Sequence, residues 1–172
     1  MRKNKLRMIC LYQQEGLDFF EIIESALRES LNLSNIVFLK HIKIPSSAFN
    51  SLRFQYEGEK IIDKIYTEIP KQCDIGVVIV DADIYAPRMN FIFGLAEPLK
   101  KIALVSTYRL KEEDGKLKER LAKEVVHEVC HLLGLGHCDN PNCVMFFSDT
   151  IYDTDRKGRD LCEKCRRNLE RI

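Results

Sequence analysis

The chain has no apolar run of transmembrane length, no internal repeat and no low-complexity segment, so nothing points to a membrane span, a solenoid or a disordered tract. An excess of charge of either sign is also missing. Lys plus Arg number 27 against 26 for Asp plus Glu, and a net +1 creates no field that would draw the chain to nucleic acid or a membrane surface. A secretory leader is not visible either. The basic start, Met1-Arg2-Lys3-Asn4-Lys5, precedes only the short run Met8-Ile9-Cys10-Leu11-Tyr12, without a small-residue cleavage site, and this reads as a strand. No propeptide or cysteine switch is recognisable ahead of the rest, so zymogen control is not expected.

What remains is a chain of 172 residues, enough for one domain with a substantial core. Its hydrophobic content of 45% and charged content of 31% are those of an ordinary soluble globular protein. Seven cysteines without a secretory signal suggest a reducing compartment, the cytoplasm, where clustered cysteines bind metal more often than they form disulfides.

Histidine is scarce, and three of the four lie in one stretch, His127-Glu128-Val129-Cys130-His131-Leu132-Leu133-Gly134-Leu135-Gly136-His137-Cys138. The pattern H-E-x-x-H-x-x-G-x-x-H is expected by chance in on the order of one in 100,000 random chains of this length. On a helix, His127 and His131 project from one face. Glu128 is offset by one position, close enough to touch a metal-bound water without being a ligand. Gly134 can take the positive φ that ends a helix, and the turn can return His137 to the same metal. Three nitrogens on zinc leave one tetrahedral position open, the arrangement of a catalytic site. Metal-assisted hydrolysis follows, with Glu128 as general base.

Four cysteines come next, Cys138-x4-Cys143 and Cys162-x2-Cys165, and together they make a closed tetrahedral sulfur site for a second, structural zinc. Cys10, Cys73 and Cys130 are left over and read as small buried hydrophobes, with Cys130 rotated off the histidine face.

Strands are expected at Leu6–Tyr12, Ile36–Ile44, Ile75–Asp81, Asn90–Ala96 and Ile102–Thr107. Helices are expected at Leu17–Leu31, Glu59–Ile69, from Leu117 into the histidine motif, and at Arg159–Leu169. Residues 46–58 read as a loop or weak hairpin, and the chain after Cys138 loses periodicity through Asp155. Their alternation implies a largely parallel α/β sheet, and the short link between the last two strands makes that pair antiparallel. His41 reads as an exposed strand residue, and Asp81 and Asp83 as turn chemistry at a strand end rather than metal ligands.

The histidine motif followed by Met145 is that of the metzincin zinc proteases. With C-x4-C-x-M…C-x2-C after it, the stretch from His127 to Cys165 resembles the archaemetzincins, a branch whose members carry a second, four-cysteine zinc. The gap from Met145 to Cys162 is one residue shorter than in the family, a difference a loop absorbs. The resemblance implies a mixed, mostly parallel twisted sheet with one antiparallel edge strand, an active-site helix, a Met-turn and a C-terminal helix. It also implies a single catalytic domain over 1–172, with 1–134 leading up to and including the active-site helix and 135–172 forming the Met-turn and the four-cysteine subdomain. Met145 would pack beneath the zinc. Some metzincins carry a tyrosine two residues after that methionine; Phe147 stands here, so that ligand is missing. Phe91–Leu95 would be the edge strand, and Phe93, Gly94 and Leu95 would lie beside a peptide or protein substrate; an edge strand without a substrate role remains equally open.

Two other readings stand beside this one. The four-cysteine site with Arg156, Lys157, Arg159, Arg166, Arg167 and Arg171 could form a zinc-ribbon-like nucleic-acid surface, but Asp153, Asp155, Asp160, Glu163 and Glu170 are interleaved with them. A metal-bound protein with a cleft too narrow for proteolysis is the other.

Overall fold

The computed structural model describes residues 8–172; the basic start and Leu6, where the first strand is expected to begin, lie outside the described residues. In chain order the elements are β1 (Ile9–Gln14), α1 (Phe20–Leu31), β2 (Ile36–Ile42), β3 (Phe49–Asn50), β4 (Gln55–Glu57), α2 (Gly58–Tyr66), β5 (Ile75–Val80), β6 (Ile84–Tyr85), β7 (Gly94–Glu97), β8 (Ile102–Ser106), α3 (Leu117–Leu132), α4 (Ile151–Arg156) and α5 (Glu163–Arg171).

The main sheet has the order β2-β1-β5-β8-β7. The pairs β1–β2, β1–β5 and β5–β8 are parallel, and β7 pairs with β8 antiparallel at one edge. This is the expected mixed sheet, and the parallel strands are apolar on both faces because helices cover both. Ile9 and Leu11, Ile75, Val77 and Ile79, and Ala103 and Val105 turn to one side, where α1 and α3 pack. Cys10 and Tyr12, Val78 and Val80, and Ile102 and Leu104 turn to the other, where Ile61, Ile62 and Ile65 of α2 meet them. Period-two alternation in the strands and three-to-four spacing in the helices thus build a three-layer sandwich.

Local chemistry moves several boundaries. The helix expected from Leu17 starts at Phe20, because the Gln13 side chain accepts the Phe19 N–H at 2.7 Å and holds 17–19 in a turn. The second helix stops at Tyr66, short of Pro70, where the Thr67 hydroxyl donates to the Lys64 carbonyl at 2.7 Å and the Glu68 N–H bonds the Ile65 carbonyl in a final tight turn. Residues 46–58 form a short antiparallel hairpin, β3–β4, and β4 then pairs in parallel with β6 as a second small sheet. The edge strand begins at Gly94 rather than Asn90. The Arg53 guanidinium takes the Met89 and Asn90 carbonyls, each at 2.9 Å, and keeps that segment a loop.

Two features depart further from expectation. Residues 150–157 hold α4, capped by Thr150, whose hydroxyl accepts the Asp153 N–H while the Asp153 carboxylate accepts the Thr150 N–H. Cys10 and Cys73 are not free hydrophobes; they form a disulfide with a Cα–Cα distance of 5.8 Å. The cause is register. The Asp74 and Ile75 N–H groups both bond the Met8 carbonyl, so the turn before β5 lies against β1. His41 is exposed, as expected. Asp81 and Asp83 do not cap their own turn as expected; Asp83 takes a bidentate pair from Arg109 at 2.7 Å, and Asp81 accepts the Thr107 hydroxyl and pairs with Lys111, so both tie this loop to the segment after β8.

Candidate metal centre and active-site cleft

α3 is buried on every side from Arg120 to Cys130, so its functional side chains are held by the core rather than by a surface. His127 and His131, one turn apart, face each other with Nε2 atoms 3.0 Å apart. Their Nδ1 atoms are engaged elsewhere, His127 with the Val144 carbonyl and His131 with the Leu135 carbonyl, both at 2.8 Å. Only the Nδ1–H tautomer can donate those bonds, so each ring presents an Nε2 lone pair.

The helix ends where the motif requires. Gly134 has φ +98°, the Gly134 N–H bonds the His131 carbonyl and the Leu135 N–H bonds the Cys130 carbonyl. These two bonds define a Schellman cap, and the left-handed residue inside it favours glycine. The turn carries His137 to within 5.3 Å of the His127 ring and 4.8 Å of the His131 ring, centroid to centroid. A ligand atom from each of the three lies within 4.8 Å of the others. Burial lowers all three imidazole pKa values, His127 farthest, with the Lys157 ammonium adding to the shift there. Neutral rings with converging lone pairs are the donor set zinc takes.

The loop after His137 closes the site from below. The Cys138 N–H donates to the Met145 carbonyl at 2.9 Å, tying the third histidine's segment to the turn that holds His127. Met145 itself is fully buried in the core. Phe147 packs on His137 with centroids 5.1 Å apart and carries no hydroxyl.

Glu128 lines a cleft of about 610 Å³ together with the three histidines, Phe93, Gly94 and Leu95. Burial, then the neighbouring Glu124 carboxylate, pushes its pKa up to about 8, while Lys157 opposes the shift. Phe93 is buried, and Gly94 and Leu95 are half-buried on β7, the free edge of the sheet. The Ser106 N–H bonds the Phe93 carbonyl, so by the alternation of antiparallel pairs Gly94 and Ala96 turn their N–H and C=O toward the cleft.

The four cysteines also converge. Their sulfurs lie within 4.8 Å of one another, Cys138 and Cys162 at 3.8 Å. The Cys162 N–H points at Cys143 Sγ, 3.3 Å away, a donor suited to a thiolate. The Cys165 N–H and neighbouring thiols bring Cys162 down to about 7, while burial raises Cys143 and Cys165. Cys130 is fully buried in the core, with its thiol pushed up to about 12, and takes no part.

Sequence reasoning missed four residues of this region. Glu124 lines the cleft and is 4% exposed at its side chain; its spacing from His127 and Glu128 places it on the same helix face, a signal that was present. Lys157 Nζ, fully buried, lies 2.9 Å from Glu124 Oε1 but off the hydrogen-bond direction, so the pair is electrostatic. Nothing local marks Lys157. Ser148, whose Oγ is buried without a partner among the described residues, and Asp149 also line the cleft.

Comparison with known proteins agrees with this geometry. The profile of Peptidase family M54 matches residues 9–171. An archaemetzincin of Pyrobaculum aerophilum is 45% identical over 120 residues, covering 70% of this chain and 74% of the relative. One from Saccharolobus islandicus is 33% identical over 179 residues, covering 100% and 96%. The crystal structure of the Methanopyrus kandleri archaemetzincin superposes with a TM-score of 0.88 at 32% identity, covering 99% of this chain and 98% of that one. That of the Archaeoglobus fulgidus archaemetzincin, complexed with malonate, gives 0.80 at 34% identity, covering 93% and 99%. With a family profile that spans nearly the whole chain and relatives that share both its sequence and its fold, the chain belongs to Peptidase family M54, the archaemetzincin zinc metallopeptidases.

Proposed function

We propose that the chain hydrolyses peptide bonds at a zinc held by His127, His131 and His137, with Glu128 as the general base. The observation that carries this reading is the pair of Nε2 lone pairs aimed at one point, with both Nδ1–H groups bonded to main-chain carbonyls. Two unprotonated nitrogens 3.0 Å apart repel each other unless a cation lies between them. Zinc bound there would supply Lewis acidity, activating water at neutral pH and polarising the scissile carbonyl.

The chain's own residues do the rest. The Glu128 carboxylate takes a proton from the attacking water and returns it to the leaving amine. A buried carboxylate with a raised proton affinity suits both halves of that exchange. The outward N–H and C=O groups of Gly94 and Ala96 pair with an extended peptide laid along β7, and Phe93 and Leu95 flank it. Met145 packs as a floor, and Gly134 sets the turn that brings His137 in. Glu128, by being buried, also excludes bulk water from its own proton.

A second zinc fits the sulfurs of Cys138, Cys143, Cys162 and Cys165. A closed four-sulfur set offers no open position, so its role is structural, fastening α5 to the turn after His137. The chain would then be one catalytic domain, with 135–172 as a zinc-fastened subdomain. Clustered thiols favour a reducing compartment, and the cytoplasm is the proposed location; the Cys10–Cys73 disulfide pulls the other way. Among the described residues no helix is long and apolar enough to cross a membrane.

The test is a mixed peptide library incubated with the zinc-loaded protein, with cut sites mapped by mass spectrometry. Cleavage by the wild type and none by a Glu128→Ala variant that keeps its zinc is expected. Equal cleavage by both would remove Glu128 from the reaction.

A further inference from the structure

We infer that Gly94 is a positioning residue of this reaction: the missing side chain on the edge strand is what lets the Glu128 carboxylate stand in the cleft beside the histidines. The inference rests on Glu128 as the base. A Cβ built on Gly94 would lie 2.7 Å from both Glu128 Cγ and Oε1 and 3.0 Å from Cδ. Real Cβ contacts essentially never fall below 3.0 Å, so even alanine forces a movement.

The backbone does not ask for glycine here. Positive φ occurs at Gly16, Gly115 and Gly134, and Gly94 is not among them. A glycine inside a strand without a special φ marks a close approach by another group, and the group here is the base itself. Glu128 cannot retreat cheaply. It sits on a helix buried from Arg120 to Cys130 and packed on β7 and β8. Cγ is one bond from the backbone-linked carbon, so relief requires rotating χ1 or lifting α3 off the sheet. Either swings the carboxylate away from its place beside His127.

The main-chain groups that would hold a substrate are left untouched by a methyl at this position. Loss of turnover without loss of substrate affinity is therefore the signature, since only an interaction made in the transition state is disturbed. A misplacement of about 1 Å at the reacting groups costs on the order of 10²-fold in rate.

A double-mutant cycle on the zinc-loaded protein tests this: wild type, Gly94→Ala, Glu128→Ala and the double variant are each measured for turnover, zinc content and Tm, with kcat and KM determined for wild type and Gly94→Ala. Gly94→Ala is expected to lower kcat by about 10²-fold, with KM and zinc content unchanged, and to lower Tm. In the Glu128→Ala background the methyl has room, so Gly94→Ala should cost no further Tm. Should Gly94→Ala alone fail to fold, a folded double variant is the supporting result. Wild-type kcat in Gly94→Ala, full additivity of the Tm losses, or a double variant that does not fold would overturn the inference. An active Glu128→Ala variant overturns the base and its positioning together, while the Tm cycle then still reads the contact.

Discussion

At the scale of single residues, the site depends on where unused atoms point. His127 and His131 donate Nδ1–H to the Val144 and Leu135 carbonyls, and those carbonyls belong to segments that the same helix end and Met-turn create. Orientation of the ligands is thus built into the main chain. The charge balance is less local. Glu124, one turn before Glu128, would repel the base if it stood alone; Lys157 at 2.9 Å and the Thr154 hydroxyl at 3.2 Å compensate it. Both charged groups of that pair are nearly without solvent, so removing one strands the other. Lys157→Met is expected to lower stability by about 3–5 kcal/mol, read as a shift in the denaturant midpoint. The Lys157→Met/Glu124→Leu double variant should recover most of it. A Lys157→Met protein as stable as wild type would show that the pair carries no weight. The histidines and cysteines were legible because each set is short-range in sequence with a spacing that one helix turn or one knuckle enforces. Lys157 was not, because its partner is far away along the chain and nothing in Arg156-Lys157-Gly158 distinguishes a buried ammonium from a solvated one.

At the scale of elements, periodicity placed the four long parallel strands and the three helices that cover them, and missed what side chains impose from outside. Asn90–Phe93 has strand composition, yet Arg53 from the hairpin holds its start as loop and defers β7 to Gly94. The short helix α4 has too few residues for a periodic signal, although its Thr150/Asp153 capping box was written in the sequence. The disulfide was hidden for another reason. Cys10 and Cys73 look unrelated until β1 and β5 pair, and no residue near either announces that pairing. The bond closes a loop with a sequence separation of 63 residues. In the chain-entropy account a loop of that size contributes about 4 kcal/mol by restricting the unfolded chain. Cys73→Ser should lose about that amount in denaturant unfolding without reductant, and excess dithiothreitol should bring the wild type to the same midpoint. Coincident curves for the two proteins in the absence of reductant would contradict the bond.

At the scale of the whole molecule, the chain beyond α3 is clamped back onto that helix and onto itself. Arg120, buried, makes a bidentate pair with Asp155 at 2.7 and 2.8 Å, and its guanidinium holds that carboxyl below the usual range. Lys123 donates to the Thr154 and Asp155 carbonyls at the end of α4. The four cysteines tie α5 to the loop beyond His137. The sheet then supplies the opposite wall of the cleft, with β7 free along its outer side. Helix, loop and edge strand therefore converge on one small volume, and what they converge on should be a metal with one place left for chemistry. Zinc-edge anomalous diffraction from crystals of the zinc-loaded protein tests that most directly. The account predicts a peak about 2.1 Å from nitrogens of His127, His131 and His137, with solvent alone in the fourth position. A histidine site without a peak, or a protein side chain filling the fourth position, would contradict it.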